Sequence, residues 1–373
     1  MDVDNFNNII LNNIIQEDLE DAAGEVEIRR DVLPQTNPFD LSDHKFVKLF
    51  RVSKHLFQEI VDMVTPYVTH STRVSALTVT TKVLAALRFY ASGSYQEITG
   101  SNSFVAISQS SMSRCIKEVT NALNRPEILG MTVRYPLTIE ELEALRTSFY
   151  MKYRFPGAVG CIDCTHISVV APQENEHLYV NRKGYHSLNV QLICDTNLTI
   201  LNCNARFPGA THDAYIWRQS PISNFMENMY RRNPGNVFFL MGDSGYPTRS
   251  WLLTPLGNPQ NAGDHRYNVQ FCSIRSTIER CNGVLKSRFR CLIRHRTLHY
   301  DPVMAGKIIN ACCVLHNLCI NNNIPEVDEP HGVQEPDYGM YAAENYVDNI
   351  QRAVHPDLAV ARQIQRNIIN NFI

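Results

Sequence analysis

Long apolar runs are missing from this chain of 373 residues: nowhere do about 18 apolar residues follow one another, so no membrane span is expected. The opening residues, MDVDNFNN, lack a basic stretch leading into an apolar one, which predicts a soluble intracellular chain without a secretory signal. No repeat and no low-complexity tract stands out, and the composition excludes collagenous, disordered and miniature disulfide-framework proteins. What is present is 44% hydrophobic and 19% charged residues, enough for a sizeable core and two or three domains. Eleven cysteines, odd in number and scattered from Cys115 to Cys319, read as reduced thiols. Two groups, Cys161 with Cys164 and Cys312, Cys313, His316 with Cys319, have spacings that could suggest zinc. A structural zinc site needs four converging ligands, however, and both groups fall in core-like segments.

An excess of charge of one sign is missing too. The 35 Lys and Arg meet 37 Asp and Glu, a formal net charge of −2 that taken alone argues against a nucleic-acid partner. The average hides a segregation. Residues 1–44 hold eleven acids against Arg29 and Arg30, and residues 321–373 hold eight against Arg352, Arg362 and Arg366. The body between them, 45–320, therefore carries a net +12. A basic body between acidic flanks suits a polyanionic partner, and ordinary surface charge that happens to segregate is the plainer alternative.

Residues 1–40 are rich in Asn and acid, a composition for a mobile or lightly helical segment. In residues 41–125 apolar side chains recur every three or four positions, as in Leu56, Ile60, Met63 and Val64, and a helix is predicted over Thr80–Ala91, ended by Gly93. The segment Ser94–Gly100, a loop through Asn102–Ala106 and a helix over Ser108–Leu123 have the cadence of a helix-turn-helix. On that last helix Met112, Cys115, Ile116, Val119 and Leu123 form the stripe to be buried. Gln109, Arg114 and Lys117 lie opposite, able to reach phosphates and base edges, and a plain bundle with a solvated face is the alternative. After Phe155 the period changes. Ala158–Ala171, His186–Cys194, Leu198–Phe207 and Val237–Met241 read as strands, with a hairpin turn at Asp195–Leu198. Helices are predicted from Asp213 to about Glu227, over Ser273–Phe289 and over Pro302–Asn321, giving an α/β unit with a mixed sheet flanked by helices.

Four acids stand where chemistry is expected. Cleavage of a phosphodiester by two divalent ions needs clustered hard carboxylate oxygens. Asp163 lies inside an otherwise uncharged strand, where a carboxylate must be paired, hydrogen-bonded or metal-bound; Thr165 and His166 are alternative partners. Asp243 ends the apolar run Val237–Met241, at the strand end where open α/β sheets place ligands, unless it merely forms a turn with Ser244 and Gly245. Asp213 opens a helix, so N-capping competes there. Glu279 is the only acid between Arg275 and Arg296, among seven bases, on a face shared by Arg275, Asn282, Gly283, Lys286 and Arg290. A metal-binding carboxylate beside phosphate-holding cations is what a nuclease helix needs, whereas i, i+4 ion pairing is the plain alternative.

Several ordered motifs carry a resemblance. Gly160-Cys-Ile-Asp-Cys-Thr-His166, Tyr179-Val-Asn-Arg-Lys-Gly184, Pro208-Gly-Ala-Thr-His-Asp213, Gly242-Asp-Ser-Gly-Tyr246 and Ile278-Glu-Arg-Cys-Asn-Gly-Val-Leu-Lys-Ser-Arg-Phe289 together resemble the PIF/Harbinger superfamily of transposases. Within it they are most similar to the domesticated Harbinger-derived nucleases of animals, over about residues 41–320. The resemblance implies an RNase H-like catalytic domain whose DDE triad binds Mg or Mn. By the family's order of acids the triad is Asp163, Asp243 and Glu279, with 35 residues between the last two, and Asp213 is an additional acid near the metals. It implies a DNA endonuclease, the alternative being a catalytically silent DNA-binding or recruitment protein. Lys183, Arg275, Arg280, Lys286 and Arg290 would neutralise the DNA backbone, while Gln109, Arg114 and Lys117 grip it from the helical domain. Expected partners are DNA, a Myb-like DNA-binding protein and, in a homo-oligomer, further copies of the chain, with no membrane. The expected location is the nucleus, shared with the cytoplasm. The expected layout is an acidic segment 1–40, an all-α helix-turn-helix-like domain 41–125, a helical linker 126–154, the RNase H-like domain 155–320 and an acidic tail 321–373.

Overall fold

Among the described residues the first four α-helices each begin at a hydroxyl. In the computed structural model, which describes residues 37–70, 76–93, 105, 107–326 and 356–373, Ser42, Ser53, Thr78 and Ser108 each accept a backbone N–H three residues on. They cap α1 (Asp43–Phe50), α2 (Lys54–Val64), α3 (Val79–Ser92) and α4 (Gln109–Leu123). The stripe expected on α4 is buried, and its Thr120 bonds the Tyr90 hydroxyl of α3 at 2.6 Å. Gln109, Arg114 and Lys117 are exposed on the opposite face. Residues 94–104 and 106, which hold the first half of the expected helix-turn-helix, lie outside the described residues, as do residues 1–36 of the acidic segment. Helices α5 (Pro126–Thr132) and α6 (Ile139–Tyr153) follow, the second opened by a capping box between Thr138 and Glu141.

The sheet comprises β1 (Ala158–Ser168), β2 (Ser187–Cys194), β3 (Ile200–Pro208), β4 (Phe239–Met241) and β5 (Leu252–Leu253), in the order β3-β2-β1-β4-β5. The turn between β2 and β3 is closed by Asp195, whose carboxylate accepts the N–H groups of Asn197 and Thr199 at 2.8 Å each. β1 runs antiparallel to β2 and parallel to β4, in a register that sets Cys161 against Met241. Asp163 and Asp243 each lie two residues further on. Side chains alternate along a strand, so both acids fall at one level and on the face of Cys161 and Met241.

That face is covered by α9 (Ala262–Arg288) and α10 (Pro302–Asn321), whose Ile278, Leu285, Ile308 and Cys312 share one core with the N-terminal helices. The other face, with Ile162 and Leu240, is covered by α6, α7 (Asp213–Arg218) and α8 (Pro221–Arg232) through Leu142, Trp217 and Met226. Helix α9 begins at Ala262 rather than Ser273, because Asn261 caps it and Tyr267 and Phe271 pack with Phe155. β5 was not expected, since two residues are too few for a periodic signal. Helix α10 is long and apolar enough to cross a membrane, yet its side chains are mostly buried within the protein. The last part of the acidic segment 321–373 is itself a helix, α11 (Pro356–Phe372). It is held by Arg366 on the buried carboxylate of Asp264 and by Gln365, which donates to Thr254 O at 2.8 Å.

Candidate active site

Strand register and helix phase bring Asp243, Asp213 and Glu279 near enough to Asp163 for each to act on its charge. Asp163 in mid-β1 is 8% exposed, and burial holds its carboxyl well above the usual carboxylate range, with Asp243, Asp213 and Glu279 pushing the same way. Arg275 opposes them, its Nη1 standing 4.0 Å from Asp163 Oδ1. Asp243, just past β4, is likewise raised by burial and by Asp213, against the pull of Arg275, the Gly245 N–H and Arg182.

The alternatives weighed for each acid come out differently. Asp163 meets neither Thr165 nor His166; its neighbours are Asn282, whose Nδ2 donates at 3.5 Å, and Arg275. Asp243 does form the turn, accepting the Gly245 N–H at 2.9 Å, while remaining in the cluster. Asp213 is not the cap of α7, a position held by His212; its carboxylate accepts from Asn189 Nδ2 at 2.8 Å. Glu279 is ion-paired with Arg275 one turn before it.

The expected DNA contacts separate into several groups. Lys183 and its neighbour Arg182 sit on the exposed loop before β2; burial, then Lys286, then these two bases hold the His166 imidazole down at about 4. Arg280 is exposed on α9. Arg290 is half-buried just past that helix, leading into Arg294, His295 and Arg296. These residues run toward α4, because Gln109, Phe89, His295, His299 and Tyr300 line one cavity of about 400 Å³. Lys286 must be corrected. It is fully buried, its Nζ donating to Thr165 Oγ1 at 2.7 Å and His166 O at 3.0 Å, so it ties α9 to β1 instead of facing phosphate. Lys286 lies eleven residues, about three turns, beyond Arg275 on that stripe, where α9 packs on β1. Cys161, Cys164, Cys312, Cys313 and Cys319 are unbridged thiols, and all of them except Cys164 are buried in the core.

Sequence reasoning missed three residues. Arg182 stands inside the motif quoted above, next to the lysine that was chosen. Asn282 lies on the Glu279 stripe. Asn189 gave no signal, being one uncharged residue in a buried strand.

The donor set is the oxygen-rich, anionic kind that Mg and Mn take. Two buried side-chain oxygens beside it, Asn189 Oδ1 and Asn282 Oδ1, have no hydrogen-bond partner. Among the described residues no three His, Cys, Asp or Glu side chains lie close enough to hold a metal ion as they stand, with Arg275 lodged among the acids. In protein stripped of divalent cations the raised carboxyls set a pH dependence. A carboxyl whose folded pKa exceeds its unfolded one contributes stability that is full below the unfolded value, about 4, and is lost as pH rises through the folded value. Thermal melts in EDTA should therefore show stability falling from acid toward neutral pH, with Asp163→Asn flattening the fall; an equally steep fall in the variant would contradict this.

Residues 162–317 match the family described as DDE superfamily endonuclease. The chain is 35% identical over 293 residues to "Putative nuclease HARBI1" of Homo sapiens, covering 78% of this chain and 82% of that one, and 34% identical over 294 residues to its counterpart in Bos taurus, with the same coverage. A plant relative, "Protein ALP1-like" of Arabidopsis thaliana, is 23% identical over 310 residues, 78% of this chain and 74% of that one. No solved structure matches the chain significantly.

Proposed function

Because the chain belongs to the Harbinger transposase-derived nucleases of the DDE superfamily, we propose that it is a DNA endonuclease hydrolysing phosphodiester bonds at an RNase H-like centre with two divalent cations, Mg or Mn. The observation that carries this reading is the approach of acids from the end of β4, α7 and α9 to the buried Asp163 of β1, whose charge each of them makes costlier, as Asp213 does for Asp243. Asp163, Asp243 and Glu279 would hold the cations, with Asp213 beside them. Bound there, such ions supply an activated water and stabilise the leaving oxygen.

The chain's own residues do the rest. Asn282 and Asn189 fix the carboxylates of Asp163 and Asp213 through their amide N–H groups. Lys286 locks α9 against β1, so that Glu279 faces Asp163. Arg182, Lys183 and Arg275 gather positive charge where a phosphodiester would lie. The basic run Arg290–Arg296 would lead the duplex toward Gln109, Arg114 and Lys117 on the exposed face of α4, which serves as the second helix of a helix-turn-helix. The same reading gives the protein a Myb-like DNA-binding partner, self-association and a nuclear location shared with the cytoplasm, all on family resemblance.

The test is nicking of supercoiled plasmid by the purified chain in Mg or Mn beside EDTA, Asp163→Ala and Glu279→Ala. Cleavage only by the wild type, and only with the cation, is expected. Cleavage unchanged in both variants would sink the assignment. No cleavage by the wild type, with DNA binding retained and salt-sensitive, would favour a silent DNA-binding protein, a reading to which the Arg275–Glu279 pair lends its one structural support.

A further inference from the structure

We propose that Arg275 is a built-in counter-ion of the acid centre, paired with Glu279 beside Asp163 until divalent cations arrive and then released to hold the phosphate that is cut. The inference rests on the cation-binding reading above. Arg275 lies one helical turn before Glu279 on α9 with its side chain 18% exposed. One terminal nitrogen bonds Glu279 Oε1 and the other stands 4.0 Å from Asp163 Oδ1, so one planar fork spans acids from a helix and a strand. A guanidinium and a divalent cation want the same oxygens, and Glu279 cannot give its carboxylate to both. Among the described residues no three His, Cys, Asp or Glu side chains lie at metal-holding distance, and Arg275 stands between two of the acids.

Two other cations of α9 do not take the role. Lys286 is held inside by Thr165 and His166, and Arg280 projects into solvent. Four carboxylates facing two divalent ions are balanced in charge, which leaves Arg275 a surplus cation, beside Arg182 and Lys183. The anion that can next engage its fork is a phosphodiester. The centre would thus change from an inert, internally paired state to a phosphate-gripping one on loading, and Arg275 would work as a positioning residue with a different partner in each state.

The sign of one effect separates this from a structural role. Manganese is titrated calorimetrically into the full chain as wild type, Arg275→Gln and Arg275→Lys, each checked for folding by circular dichroism. Removing a competing charge a few ångströms from the acids should tighten manganese binding roughly tenfold in Arg275→Gln, with Arg275→Lys between it and the wild type. Mere structural damage would weaken binding instead. Should Arg275→Gln not fold, Arg275→Lys carries the test alone, since it keeps the charge but loses the fork. In parallel, the salt dependence of duplex-DNA binding should lose about one ion's worth of slope in Arg275→Gln when calcium is present and none in EDTA. Manganese affinity unchanged or weakened in both variants, with the wild type binding normally, overturns the counter-ion role alone. A wild type that binds no manganese overturns the cation reading and this proposal with it.

Discussion

Asp163→Asn is expected to lower cation-dependent cleavage by about a thousandfold or more, with the chain still folded and still binding DNA. The substitution keeps the shape of the side chain and removes one negative charge from a site where burial and three other acids already make that charge costly. Folding therefore should not suffer, and metal-free protein should gain stability at neutral pH. Affinity for a divalent cation, in contrast, depends on that charge, because a neutral amide oxygen is a far weaker partner for Mg or Mn. A turnover assay on supercoiled DNA beside a binding assay in EDTA separates the two effects. Loss of binding together with cleavage would point to a folding defect, and cleavage within a few-fold of wild type would exclude Asp163 from the centre.

Lys286→Ala should do the opposite, destabilising the fold by about 3 kcal/mol while leaving the salt dependence of DNA binding unchanged. The lysine is fully buried, and its truncation leaves a cavity between α9 and β1 and strips Thr165 Oγ1 and His166 O of a donor. Arg280→Ala on the exposed side of the same helix should show the reverse pattern, with stability unchanged and the salt slope smaller by about one. Urea unfolding and DNA binding at several salt concentrations check both. A Lys286→Ala protein of wild-type stability with a reduced slope would restore that lysine to the DNA-contacting group.

The difference between Lys286 and Arg275, on one stripe of α9, marks where the sequence stops being readable. Helical phase correctly placed Arg275, Glu279, Asn282 and Lys286 on one stripe, but phase does not say how far along α9 the sheet edge extends, and that boundary separates a phosphate-facing cation from a buried strut. The strand register was accessible only in part. Asp163 and Asp243 were each recognisable as an acid in an apolar strand context, yet their alignment needs the pairing of Cys161 with Met241, which single-strand patterns do not carry. Asp213 was ambiguous because an acid at a helix start has two uses, and only the contact with Asn189 from β2 resolves it. Helix α11 was hidden by composition: the acids of the segment 321–373 suggested a tail, whereas Ala361, Gln365 and Ile368 are buried against the rest of the protein.

The central claim is that four separated acids form one cation site. Its most direct test is a manganese titration followed by electron paramagnetic resonance on the full chain and on Asp243→Asn. The wild type should take up about two ions per chain, and the variant should lose at least one of them. Equal uptake by the two proteins would contradict the account.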